Sequence, residues 1–162
     1  MLLYLARHGD AMSGRENKNR PLSEQGRISV DRVASFLARS QLGILGVIHS
    51  KKLRSQETAL ILSKGLGVGN IVQESIFPLE PNDSIFPLYE AIQNANENFG
   101  RNQIIVGHLP YLEKLTGLLI CRDQNQPVVK FDPGTVIALS RTSIEDTWSL
   151  DWIVKPRLFG RD

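Results

Sequence analysis

The sequence predicts an α/β fold: a three-layer sandwich with a largely parallel central sheet and helices on both faces. Three observations predict it. Apolar runs at 2–6, 44–49 and 103–107 have the length and composition of buried strands. Segments with apolar residues at helical spacing lie between them, and strands alternating with helices favour parallel pairing. Each run also ends in polar turn residues: Arg7-His8-Gly9, His49-Ser50 and Gly107-His108.

The elements follow in order. The run at 2–6 is the first strand, and 15–21 is a polar loop. Ser23 is a good N-cap for a helix over 24–38, with Ile28, Val33, Phe36 and Leu37 as its apolar positions. The second strand spans 44–49. A helix over 52–66 follows, with Leu53, Ala59, Leu60 and Leu62 near one face and an end at Gly65 or Gly67. Residues 71–72 make at best a short strand, and 82–96 reads as a helix despite Pro87. The third clear strand is 103–107. Pro110 suits the first turn of a helix running to about residue 120. Two further strands, at 135–139 and 148–154, are spaced for a hairpin.

The chain has 162 residues, and no repeat, low-complexity tract or linker divides it, so one domain over 1–162 is expected. At this length folding buries roughly two-thirds of the unfolded surface, enough for a core without staples. A formal net charge of +2 is too small to argue for nucleic acid. Basic residues instead cluster at 15–20 and 51–54, which favours a local anionic ligand. The single cysteine, Cys121, excludes an intrachain disulfide and fits a reducing compartment; its apolar neighbours suggest a buried thiol. No signal-peptide pattern opens the chain, and no apolar run approaches about 18 residues. A cytoplasmic protein with no membrane contact is therefore expected.

In a parallel sheet the three polar strand ends lie along one edge, where open α/β sheets bind ligands. Arg7, His8, Arg54 and His108 then converge, with Arg54 in the first turn of its helix. Phosphoryl chemistry suits that set. A phosphoryl group in transfer spreads charge over three oxygens, which guanidinium and imidazole donors can hold. A neutral imidazole at His8 can supply the in-line nucleophile. His49 reads as a hydrogen-bonded histidine without a role in this scheme, and Lys51 and Lys52 as a solvated face.

In order and spacing these residues resemble a family. Arg7-His8-Gly9 after the first strand, Ser50-x-x-x-Arg54-x-x-x-Thr58 after the second and Gly107-His108 after a later one are similar to the histidine phosphatase superfamily, in its phosphoglycerate-mutase-like branch. Arg20-Pro21-Leu22-Ser23-x-x-Gly26 and His108-Leu109-Pro110 resemble the SixA-type phosphohistidine phosphatases, which are about this short. The resemblance runs from Met1 to about Leu119. It implies that His8 accepts the phosphoryl group and that water then releases it. Arg7, Arg54 and His108 match the family's phosphate pocket, and Arg20 lies in a matching loop. No cofactor or metal is implied.

Two departures qualify the match. Ser50-Lys51-Lys52 stands where relatives often have Ser-Pro, a change in turn stiffness more than in chemistry. Larger relatives also carry an acidic proton donor after their third strand. Here that region is Leu79-Glu80-Pro81-Asn82-Asp83, so Glu80 and Asp83 are candidates, although neither sits in the expected motif. Lack of an acid suits a phosphoramidate, because a protonated imidazole leaves more readily than an alkoxide. The expected substrate is therefore phosphohistidine on a phosphorylated protein. The alternative is a small phosphate ester, such as a sugar or nucleoside phosphate. His8 argues against a catalytically idle phosphate-binding module, which would need no nucleophile.

Overall fold

The computed structural model describes residues 1–69, 71–94, 102–143 and 145–160. Six strands form one sheet: β1 (Leu2–Arg7), β2 (Gly46–His49), β3 (Val72–Glu74), β4 (Gln103–Gly107), β5 (Val136–Ser140) and β6 (Ser149–Val154). Their order is β3-β2-β4-β1-β5-β6. The first four in that order run parallel, while β5 and β6 add an antiparallel hairpin on the far side. The sheet is thus largely parallel, as expected.

Side chains alternate across β1. Leu3 and Leu5 join a core with Leu79, Leu88, Leu112, Leu115 and Phe131. Tyr4 and Ala6 join a second core with Val30, Val33, Leu37, Ala59 and Leu62. Helices α1 (Glu24–Ala38) and α2 (Leu53–Leu66) therefore cover one face, and α3 (Phe86–Gln93) and α4 (Tyr111–Cys121) the other. A strand covered on both sides must be apolar at every position, which is why β1 and β4 stand out in the sequence.

Several expectations need correction. The buried stripe of α1 is Val30, Val33, Ala34 and Leu37, the i, i+3, i+4, i+7 pattern; Ile28 and Phe36 fall off that phase and are exposed. Leu60 is likewise exposed, whereas Ala59 and Leu62 pack inward. Ile44 is buried but precedes β2. Helix α2 ends on Gly67, whose left-handed φ of 68° makes the cap. Helix α3 is shorter than the predicted 82–96. Asp83 accepts the Glu80 amide at 2.8 Å, which commits that stretch to a turn, and Pro87 enters in the first helical turn, where a missing N–H costs nothing. Residues 95–96 of the predicted helix lie outside the described residues, as do 161–162 at the end of the chain. Pro110, placed by the sequence in the first turn of α4, is its N-cap. Cys121, expected to be buried, is exposed: it ends α4 two positions beyond buried Leu119, a rotation that carries it off the inner face.

Helix α1 lies hard against the turn after β1. Ser23 caps α1 by accepting the Gly26 amide at 3.0 Å and donates to the Asp10 carboxylate at 2.8 Å. A Cβ at Gly26 would sit 2.1 Å from the Asp10 carbonyl oxygen, so only glycine lets the two backbones approach. In an open helix Gly→Ala would stabilise by about 1 kcal/mol. Here the sign reverses: Gly26→Ala should destabilise by about 1–3 kcal/mol through overpacking, measured as a lower denaturant midpoint.

Candidate active site

The parallel register brings the three polar strand ends together. Arg7 pairs with Gly107 at the ends of β1 and β4, and the His8 amide donates to the Gly107 carbonyl at 3.1 Å. This sets His8 and His108 side by side, with ring centroids 4.9 Å apart. Arg54, the second residue of α2, reaches in from the β2 side, and its Nε donates to His8 Nε2 at 3.2 Å. His8, Arg54 and His108 are 9%, 8% and 1% exposed. Arg7 ends β1 directly before His8, and its Nη1 donates to the Phe131 carbonyl at 2.7 Å.

The hydrogen bonds also assign the nitrogens of His8. Nδ1 lies 2.7 Å from the Gly9 carbonyl, which can only accept, so Nδ1 carries the proton. Nε2 then holds the lone pair, consistent with its acceptance of the Arg54 N–H. The Gly9 carbonyl thus fixes the proton on Nδ1 and leaves the lone pair on Nε2, where the Arg54 N–H holds it.

Two hydroxyls complete the frame. Thr58 accepts the Gly9 amide at 3.0 Å and donates to the Arg54 carbonyl at 2.7 Å, which joins the His8 turn to the helix carrying Arg54. Ser50 Oγ lies 2.5 Å from His108 Nε2 and accepts the Lys52 amide at 3.3 Å. Both residues occur in the sequence motif, but sequence reasoning gave neither a role. Their spacing from Arg54, four before and four after, was the signal available. The Phe131 carbonyl left no signal, because backbone groups carry none.

Burial and like charge act together on the imidazoles. Burial first, then Arg54, Arg7 and Arg20, lower His8 to about 4, against the pull of its Gly9 hydrogen bond. Burial, His8 and Arg54 lead the causes that lower His108 to about 3. Both rings are therefore neutral at pH 7. Burial also lowers Arg7, opposed by Glu113, Asp132 and Asp10. It lowers Arg54 as well, aided by Arg20 and opposed by Glu80. Arg7 Nε and His108 Nδ1 are buried with no hydrogen-bond partner.

The remaining candidates lie at the rim. Arg20 is exposed, has a φ of 49° and donates from Nε to the Met12 carbonyl at 3.2 Å. The Ala11–Leu22 bridge holds its loop beside the site, close enough for its charge to act on His8 and Arg54. Glu80 pairs with Lys52 at 2.8 Å, and its Oε1 is buried without a partner. Asp83 is tied to the Glu80 amide. A cavity of about 430 Å3, lined by Ser50, Lys51, Ile76, Phe77 and Glu80 among others, adjoins this rim. His49, read from the sequence as a hydrogen-bonded or surface histidine, is buried with Nδ1 at 2.8 Å from the Ser50 carbonyl. Among the described residues, no group of three or more His, Cys, Asp or Glu is arranged to hold a metal ion. No helix among them is long and apolar enough to cross a membrane.

Residues 3–76, which carry Arg7-His8-Gly9 and Ser50-x-x-x-Arg54-x-x-x-Thr58, match the family model of the histidine phosphatase superfamily (branch 1). The likeness to the histidine phosphatase superfamily is carried by this segment, just under half of the chain. No curated protein matches it significantly by sequence. Solved structures share the fold over nearly the whole chain. The protein histidine phosphatase SixA, solved with tungstate, superposes with a TM-score of 0.84 at 19% identity, covering 98% of this chain and 99% of that one. A putative phosphohistidine phosphatase SixA from Agrobacterium tumefaciens gives 0.70 at 20% identity, covering 96% and 97%. A mycobacterial glucosyl-3-phosphoglycerate phosphatase gives 0.67 at 18% identity, covering 93% and 97%. Members of this superfamily are phosphatases, and at these identities the likeness to individual structures is one of fold.

Proposed function

We propose that this phosphatase removes the phosphoryl group from phosphohistidine on another protein, by way of a phosphohistidine on His8. The observation that carries the proposal is the lone pair on His8 Nε2, held by the Arg54 N–H beside the His108 ring, with the Arg7 charge close enough to act on it. In the first step a bond forms between Nε2 and phosphorus while the phosphorus–nitrogen bond of the substrate breaks. The electron pair stays on the leaving imidazole, whose other nitrogen carries a proton. In the second step water attacks the same phosphorus, inorganic phosphate departs and Nε2 recovers its pair. Arg7 and Arg54 balance the charge on the equatorial oxygens, and His108 donates from the opposite side. Arg20, at the rim, adds to the field that draws the anion in.

The substrate class rests on the acids. Asp83 spends an oxygen on the Glu80 amide, and Glu80 is paired with Lys52. Neither is poised as a free proton donor, which suits an imidazole leaving group. A SixA relative bound to tungstate, a phosphate-shaped oxyanion, supports the phosphate pocket.

A second reading is favoured by one observation. Glu80 lies close enough for its charge to act on Arg54, and its Oε1 is buried without a partner. Protonated, it would serve an alkoxide leaving group and make the protein a phosphatase of small esters. A side-by-side assay separates the two readings. A histidine-phosphorylated phosphotransfer domain and a panel of sugar and nucleoside phosphates would be incubated with wild type and Glu80→Gln. Rapid loss of phosphohistidine, unchanged by Glu80→Gln and with little ester turnover, is the expected result. Ester turnover that drops about a hundredfold in Glu80→Gln would establish the second reading instead.

A further inference from the structure

The carbonyl that fixes Arg7 belongs to a loop that the end of the chain grips from outside. Phe131 is buried in the core beneath α4, and its carbonyl receives Arg7 Nη1. Around it the loop and the catalytic turn are stitched by backbone bonds. The Arg7 amide donates to the Thr135 carbonyl at 2.9 Å, Gly134 to the His8 carbonyl at 3.0 Å and Thr135 to the Asp132 carbonyl at 3.0 Å. The outer side of this loop meets residues that directly follow β6. Lys155 Nζ donates to the Lys130 carbonyl at 2.7 Å and lies 3.5 Å from the Asp132 carboxylate. Arg157 Nε lies 3.6 Å from the same carboxylate oxygen. Pro156 closes on Gly134, 3.0 Å from where a Cβ would be. The grip is placed by register, since Val154 at the end of β6 pairs with Val136 at the start of β5.

We propose that Asp132 is a positioning residue: clasped by Lys155 and Arg157, it holds the 130–135 loop so that the Phe131 carbonyl keeps the Arg7 guanidinium aimed at the oxyanion. The proposal rests on Arg7 being a phosphate clamp. Lys155 is well suited to the clasp, because its side chain is only 12% exposed and one ammonium bridges a carbonyl and a carboxylate on the same loop. An exposed ion pair would contribute little, but one that also fixes a backbone carbonyl acts on geometry. The Asp132 charge is itself felt at Arg7.

The sign of one effect separates positioning from charge. Asp132→Asn removes a negative charge near an anion site, so on electrostatics alone tungstate should bind more tightly. Loss of positioning predicts weaker binding. Calorimetric titration with inorganic tungstate would be run on wild type, Asp132→Asn, Arg7→Ala and the double variant. We expect Asp132→Asn to weaken tungstate binding about fivefold to tenfold, a loss of about 1–1.4 kcal/mol. The Arg7→Ala background should show no further loss on adding Asp132→Asn. Lys155→Met should weaken binding similarly, with Lys155→Arg restoring it, and these variants carry the test if Asp132→Asn does not fold. Binding that is unchanged or tighter in Asp132→Asn overturns the proposal, as does an equal loss with and without Arg7. Wild-type affinity in Arg7→Ala would overturn instead the reading of Arg7 as a clamp.

Discussion

Replacing His8 by alanine is expected to lower turnover by about a thousandfold or more, because it deletes the bond-forming atom. Acid-labile radiolabel should be trapped on wild type after brief mixing with phosphorylated substrate and be absent from His8→Ala. Label on the variant equal to that on wild type would overturn the covalent scheme. The pH profile adds a second signature. The reactive form of His8 is neutral, and its pKa is lowered to about 4 by burial and by Arg54, Arg7 and Arg20. The kcat/KM for wild type should therefore stay level from pH 7 to about pH 5 and fall only near pH 4. An ordinary histidine would lose activity from about pH 6.5 downward. The same shift bears on stability. The unfolded state binds the His8 proton more readily than the folded state. Its contribution is complete above about pH 6.5 and is lost as pH falls towards 4. His8→Ala should accordingly unfold less readily in acid than wild type.

Arg54→Ala is expected to cost about a hundredfold to a thousandfold in kcat, the usual effect of removing one preorganised donor from a developing anion. The substitution spares the frame, because Thr58 bonds to the Arg54 carbonyl and not to its side chain. Arg54→Lys should recover only a small part. An ammonium keeps the charge but lacks the planar fork that holds both the His8 lone pair and a phosphoryl oxygen in fixed directions. Arg54 also depresses His8, so Arg54→Ala should move the acid limb of the kcat/KM profile upward in pH. Kinetics across pH 4 to 8 would read both effects. An unchanged kcat would remove Arg54 from the transition state.

The parts of this site that were legible in the sequence are those built on regular elements. Apolar runs gave β1 and β4, and the residues immediately beyond them had to share an edge once the sheet was parallel. That placed Arg7, His8 and His108 together, and a helix start after β2 added Arg54. Other features depended on relations that no spacing encodes. That the lone pair of His8 sits on Nε2 follows from a backbone carbonyl at Gly9. The Arg7 guanidinium is bonded to the Phe131 carbonyl, from a loop more than a hundred positions away. Helix phase was the weakest inference. Ile28, Phe36 and Leu60 are apolar and sit in helices, but the groove each helix fills decides which apolar residues turn inward. Cys121 failed for the same reason. Around Glu80 the turn made by Asp83 competed with the helix that composition suggested, and a side-chain bond to the backbone won.

The position of β1 has a consequence for how the enzyme fails. It lies inside the sheet, bonded to β4 on one side and to β5 on the other, with β3 and β6 at the open edges. Fluctuations that open a sheet begin at its margins, where fewest neighbours must be given up. Peeling either edge strand leaves β1 paired on both sides. His8 thus directly follows the part of the sheet that comes undone last, so a molecule that has lost only a margin still carries that imidazole on an intact support.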